Sequence, residues 1–322
     1  MSIFDRFKKH PRTMADAGTT SAELVESQQS SVEAIRVRDD SGEPLIAYDL
    51  YFGESAEQAA NSDETLLSRF APPSSPSFGS LEWGWMGYQG PHIDPHTWPR
   101  GKWTGLPLSH AVTLRLPTMY QRRGPEFPGI AYFMYEGQVS RKWEPVDEDD
   151  PFAADVRASF DHPHVEYKTD IIGQVFALIW LTEEELTGGR TDPPPDSRRP
   201  GEHVATDQGE NAWEVPEWKK RKAASVAELH PLRWVYLAKR LNDPNAGLAP
   251  VETGYDSLGC GRDDMGWTDD HLGGTTFAGA GIEFPQGMTP YYLELATPTW
   301  DCDYGNRETH LIDLESDVFE IC

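Results

Sequence analysis

Between Leu106 and Leu116, large apolar residues take every second position: Leu106, Leu108, Val112, Leu114 and Leu116. Pro107, Ser109, Ala111, Thr113 and Arg115 fill most of the places between them. A period of two marks a strand with one buried face, so this stretch is expected to lie on a core as β-structure. A loop rich in proline and glycine follows, and residues 129–135 supply a second strand candidate.

The rest of the chain is read around that pair. Residues 1–25 look like a loosely held leader, and residues 26–150 like a first β-rich unit. Within it, residues 32–52 read as a hairpin and 55–70 as a helix. An aromatic, glycine-rich loop then brings Trp83, Trp85, Trp98 and Trp103 close together in sequence. Such a loop either carries function or plugs the open end of a sheet. Residues 151–186 form a connecting apolar segment whose run from 171 to 181 fits a buried strand or a core helix equally well. Thr182 and Glu185 fit a capping box. Residues 187–212 read as a linker or flexible surface loop, and 213–322 as helices followed by a second β-rich unit. Leu232, Val235, Ala238 and Leu241 stand three apart and predict a helix after Pro231. A glycine-rich lead-in, a proline and an alternating strand near 107–116 echo those near 290–296, as duplication of a β unit would produce.

Charge sets the choice of partners. The net charge is −25, with a pI near 4.7. That field repels phosphate backbones and anionic lipid, so nucleic acid and membrane partners are not expected. It attracts a basic protein, most of all at low ionic strength. The ordinary alternative is that acidity serves only solubility. The three cysteines Cys260, Cys302 and Cys322 form no C-x-x-C pair, which suits a reducing compartment. The N-terminal residues lack a secretory apolar run, and no stretch is long enough for a membrane helix. A cytoplasmic location is expected.

The order WPRG, then GLPLSHAVTLRLP, then FPGIAYFMYEG resembles the YwqG-like family of uncharacterised bacterial proteins. The later HLGG, the PYYLEL strand and the terminal DLESDVFEIC resemble that family's second half. The similarity covers residues 75–140 and 265–322 and rests on structural motifs. Val112-Thr113 departs from the family's polar strand position, and the aromatic loop and residues 187–212 are additional. The resemblance implies an α+β, sheet-rich fold; with the echo within the chain, the expectation is antiparallel sheet in two related β units flanked by a few helices. Members of that family have no established enzymatic activity. Several such domains lie beside polymorphic toxins and resemble immunity proteins.

Candidate chemistry is sparse. His92, Asp94 and His96 alternate, so on a strand two imidazoles and a carboxylate would point one way, as a metal-dependent hydrolase requires. Pro91 and Pro95 interrupt that segment, and a surface loop is the competing reading. His110 sits among the apolar strand positions, either as a proton-transfer group or as a hydrogen-bonded core residue. Asp263, Asp264, Asp269 and Asp270 precede His271 and lack the spacing of a calcium loop; they suit a solvated loop that accepts a partner's arginines. Asp301 and Asp303 repeat the theme. No phosphate-binding loop, nucleophile elbow or zinc-protease motif occurs. The expected function is therefore non-enzymatic: an immunity protein that binds a cognate basic toxin, without cofactor or metal. Trp83, Trp85, Trp98 and Trp103 would be its anchors, and Asp263, Asp264, Asp269 and Asp270 its charges. A carbohydrate-binding module is the other reading of the tryptophan-rich loop.

Overall fold

The computed structural model describes residues 36–38, 42–74, 78–137, 149–169, 173–199, 211–250, 265–276, 286–296, 309–316 and 319–321. All belong to one compact unit, Ile35–Cys322. The expected leader lies outside the described residues, as do the first residues of the expected 32–52 hairpin.

Eleven strands form a single sheet among the described residues. They are β1 Tyr48–Gly53, β2 Glu82–Met86, β3 Ser109–Arg115, β4 Gly129–Glu136, β5 Val165–Thr169 and β6 Val175–Leu181. After these come β7 Arg233–Lys239, β8 His271–Leu272, β9 Tyr292–Leu295, β10 His310–Asp313 and β11 Phe319–Ile321. The order across the sheet is β11-β10-β9-β8-β1-β7-β2-β3-β4-β6-β5. Every ladder between these strands is antiparallel. The α+β, sheet-rich expectation is met.

Strand order and chain order together reveal a two-fold pattern. In chain order, β1-β2-β3-β4-β6 and β7-β8-β9-β10-β11 follow the same path. The last four strands of each set run side by side. The first strand of each set is handed to the other: β7 lies on β2, β1 lies on β8, and β1 pairs with β7 at the centre. Leu114 faces Ile130 in one half, and Leu293 faces Ile312 in the other. All four enter the same core. The sequence echo thus falls on equivalent strands, β3 and β9. The two β units are interleaved in one sheet.

Alternation decides which face each side chain takes. Along β4, Ile130, Tyr132 and Met134 enter the main core, while Ala131 and Phe133 enter a second cluster. Along β6, Phe176, Leu178 and Trp180 join the first, and Ala177, Ile179 and Leu181 the second. A strand covered on both faces reads as an unbroken apolar run, which is why periodicity alone could not separate β6 from a helix. The main core is enclosed because the sheet rolls. Tyr132 on β4 meets His310 on β10, Oη to Nδ1 at 2.7 Å, although those strands are far apart in the sheet.

Two expectations change. β3 is buried on both faces, not one. A bulge between His110 and Val112 adds a residue, so Leu108 faces the second cluster while Val112, Leu114 and Leu116 face the main core. The predicted helix after Pro231 is strand β7. Val235 and Leu237 enter the main core, and Tyr236 and Ala238 pack with Phe70 on the other side. Leu241, which the helical stripe would bury, is 59% exposed. Pairing with β1 and β2 outweighs local helical spacing here.

Short helices cover the outer face. The stretch 55–70 forms two single turns, α1 Ala56–Ala59 and α2 Glu64–Leu67, capped by Ser55 and Asp63. Asn61 (φ 51°) and Ser62 (φ 63°) occupy the left-handed region and break the expected longer helix. Further along are α3 Pro151–Ala158, α4 Glu183–Thr187 and α5 Val226–Leu229. The Thr182–Glu185 capping box is present at the start of α4. No helix among the described residues is long and apolar enough to cross a membrane.

Candidate functional site

The aromatic loop is not a rim of exposed indoles. Trp83, Trp85 and Trp98 are 4%, 1% and 0% exposed. Each indole N–H donates to a backbone carbonyl: Ala71 at 2.7 Å, Gln89 at 2.8 Å and Leu108 at 2.8 Å. With its polar handle satisfied, each ring stays in the interior and offers no face to a protein partner or a sugar. Trp103 is half-buried and donates to Gly173 O at 3.1 Å. The expectation of four anchoring tryptophans is corrected to one with an accessible edge.

The expected acidic loop divides. Asp270 is buried, and its Oδ1 accepts from Ala296 N at 2.9 Å, which ties β8 to the end of β9. Asp269 is half-buried. Asp263, Asp264, Asp301 and Asp303 lie outside the described residues, as do all three cysteines. The metal constellation does not assemble. Asp94 caps the turn Pro95–Thr97 by accepting from His96 N at 2.9 Å. The His96 ring turns toward Asp155 at 3.5 Å, and His92 packs on Gly188. Among the described residues, no group of three or more histidines, cysteines or carboxylates is placed to hold a metal ion. His110 is a satisfied core residue. Its Nδ1 donates to Gly87 O, and its Nε2 accepts from Thr113 Oγ1, each at 2.8 Å. Burial lowers its pKa to about 4.

Two unforeseen polar features emerge. The first is a buried row across three strands. Asp49 on β1 faces His271 on β8, which faces Glu294 on β9. All three are essentially without solvent exposure. His271 Nδ1 donates to Gly273 O at 2.8 Å, and Nε2 lies 2.7 Å from Glu294 Oε2. Burial and the positive charge of Arg240 push His271 down, whereas its 2.7 Å contact with Glu294 requires a proton between the two groups. Arg240 is also buried and balances the carboxylates. Its Nε donates to Asp49 Oδ1 at 2.8 Å, and its Nη1 lies 3.4 Å from Asp243 Oδ2. It also donates to Thr275 O and Thr268 O, both at 2.9 Å, beneath the Trp267 ring. The row has the character of an internal clamp on β8, whose strand is only two residues long.

The second is an open groove of about 790 Å³. One side is Asp192-Pro193-Pro194-Pro195-Asp196, and the other includes Lys220 and residues 223–227. Three successive prolines hold the first side extended. Trp213 anchors it by donating from Nε1 to Pro194 O at 2.7 Å. Arg100 and Arg198 lie over the Trp213 ring at 4.9 and 5.0 Å. Burial lowers Arg100 to about 10, with Asp155 opposing that shift. Arg198 is held by Asp196 at 2.6 Å and Glu214 at 2.8 Å. Those hydrogen bonds raise the arginine and lower Asp196. Lys220 pairs with Glu217. Asp192 accepts from the neutral amide of Gln89 at 2.8 Å. Beside it, burial and the Asp192 charge raise the Tyr88 phenol. Part of the stretch read as a linker is therefore one side of a shaped surface.

The chain matches no protein-family model, no curated protein and no solved structure.

Proposed function

We propose that this chain is a non-enzymatic binding protein that neutralises a cognate basic toxin by direct contact in the cytoplasm. The observation that carries the reading is the charge pattern on the outer face. Residues 54–68 hold Glu54, Glu57, Asp63 and Glu64, all exposed, and no lysine, arginine or histidine. Helix α1 and its C-cap fix this ridge on the sheet by burying Ala59 and Ala60 in a cluster with Tyr236 and Ala238, and half-buried Leu66 and Leu67 of α2 pack against it. A net charge of −25 extends the same field over the molecule. The resemblance to YwqG-like domains found beside toxins supports the reading as well. With three of the four tryptophans interior, carboxylates and not exposed indoles carry the recognition.

Long-range attraction speeds encounter more than it deepens affinity. Replacing Glu57 and Glu64 with glutamine is expected to slow association with the toxin by about two- to tenfold at low salt, with little change in dissociation. The difference closes as ionic strength rises past about 0.3 M. Stopped-flow mixing with a basic protein recovered with this chain at low ionic strength measures it. Equal association rates for both forms, or a neighbouring toxin that this chain leaves uninhibited, would remove the proposal.

A further inference from the structure

We infer that the groove beside the triple proline receives a single cationic side chain, an arginine or lysine, from the partner, with Asp192 as its counter-charge. The inference rests on the basic-partner reading and adds the position and chemistry of one contact.

Charge bookkeeping within the groove selects the occupant. Three ionised groups line it: Asp192, Asp196 and Lys220. Asp196 is committed to Arg198 through Nε and Nη2, and Lys220 to Glu217. Asp192 is exposed, and the hydrogen bond it accepts comes from an uncharged amide. The groove therefore offers one negative charge without an ionic partner among the described residues. An anionic occupant would meet that charge directly. A cationic one would complete the set.

The surroundings suit the rest of such a side chain. Pro193, Pro194, Val215, Ala223, Ala224 and Val226 supply apolar lining. Lysine and arginine carry long methylene stems that lie along apolar surface while the charged head reaches a polar group. Arg100 and Arg198 already lie over the Trp213 ring at 4.9 and 5.0 Å, and its indole N–H is bonded to Pro194 O, so the ring is a fixed support. The Tyr88 phenol lines the same groove and adds an oxygen that accepts a hydrogen bond. The groove is held open by the prolines and by Trp213, so little ordering is needed on binding.

The test uses the full chain and two short peptides, acetyl-Gly-Gly-Arg-Gly-Gly-amide and the same peptide with neutral citrulline in place of arginine. NMR chemical shifts of the Ala223, Ala224 and Val226 amides and the Trp213 indole report occupancy. The arginine peptide is expected to shift them with a millimolar dissociation constant, about tenfold tighter than the citrulline peptide. Asp192→Asn should remove that difference, whereas Glu126→Gln, an exposed carboxylate outside the groove lining that changes net charge equally, should leave it intact. Equal shifts from both peptides, an Asp192→Asn protein that behaves like Glu126→Gln, or no groove shifts at about 10 mM peptide would overturn the assignment. None of these results bears on the salt dependence of toxin association. Loss of that salt dependence, in turn, would leave the peptide shifts unchanged.

Discussion

Arg240→Met is expected to lower the unfolding free energy by about 3–5 kcal/mol, the usual cost of stranding one side of a buried ion pair. Arg240 and its two carboxylate partners, Asp49 and Asp243, have side chains without solvent exposure. Methionine fills a similar volume but donates no hydrogen bond. Asp49 would be left charged beside His271, and the carbonyls of Thr275 and Thr268 would lose a donor. The wild-type arrangement need not be more stable than an all-apolar one; the expected loss comes from leaving the carboxylates unbalanced. Adding Asp49→Asn to Arg240→Met should therefore recover part of the loss, because one stranded charge becomes neutral. Urea unfolding measures both variants, with the midpoint moving and the slope retained. A single variant within about 1 kcal/mol of wild type would mean that water reaches these carboxylates.

Legibility in the sequence tracked how local the determining contact was. β4 and β6 are apolar runs whose neighbours cover both faces, and an apolar run already announces burial. The capping box at Thr182 and Glu185 involves residues three apart and was readable for the same reason. β3 was legible as a strand, but its facing was not. A single bulge residue reverses the phase between Leu108 and Val112, and nothing in the composition of that stretch marks where it falls. β7 was misread because Leu232, Val235, Ala238 and Leu241 fit a helical stripe. What fixes it as a strand is its place between β1 and β2, strands distant in sequence.

The candidate sites follow the same rule. Asp269 and Asp270 stood out because they are adjacent to one another and to His271. Yet His271 finds its partners, Asp49 and Glu294, through strand register alone. The tryptophans were conspicuous as a composition, and composition does not say which way a ring points. The groove was hidden in a stretch whose prolines and charges resemble a linker. Contacts with residues distant in sequence hold this part: Trp213 with Pro194, Gln89 with Asp192 and Gly90 with Thr191. The strand exchange between the two β units could not be read from the echo of β3 in β9, because an echo gives similarity and not adjacency.

Acid is expected to weaken this protein from about pH 6.5 downward, before its carboxylates begin to titrate. Two buried histidines are held neutral in the fold: His110 at about 4 and His230 at about 4. Burial is the main cause for each, with Lys219 adding to it at His230. Their ordinary value is 6.5. A base with a lowered folded pKa takes up its proton more readily when unfolded. Its contribution is therefore complete above about pH 6.5 and is lost as the pH falls toward about 4. The full loss is about 3 kcal/mol for each of His110 and His230. Together, at about 6 kcal/mol, that is a large part of the 5–15 kcal/mol by which domains are ordinarily stable. Relief of repulsion within a chain of net charge −25 acts in the opposite direction. Those charges are mostly at the surface and screened beyond about 8 Å at physiological salt, so the buried imidazoles should dominate. Glu185, which burial would raise, is lowered to about 2 by hydrogen bonds from His162 and Thr182, and its contribution is lost as the pH falls from 4.5 toward 2. Urea unfolding between pH 7 and about pH 4.5 should show stability falling with a slope that approaches 3 kcal/mol per pH unit, the mark of roughly two protons taken up. His110→Asn should reduce that slope by about one proton's worth, whatever it does to stability at neutral pH. A flat profile over the same range would show that these imidazoles are protonated in the folded protein and that the interior described here is wet.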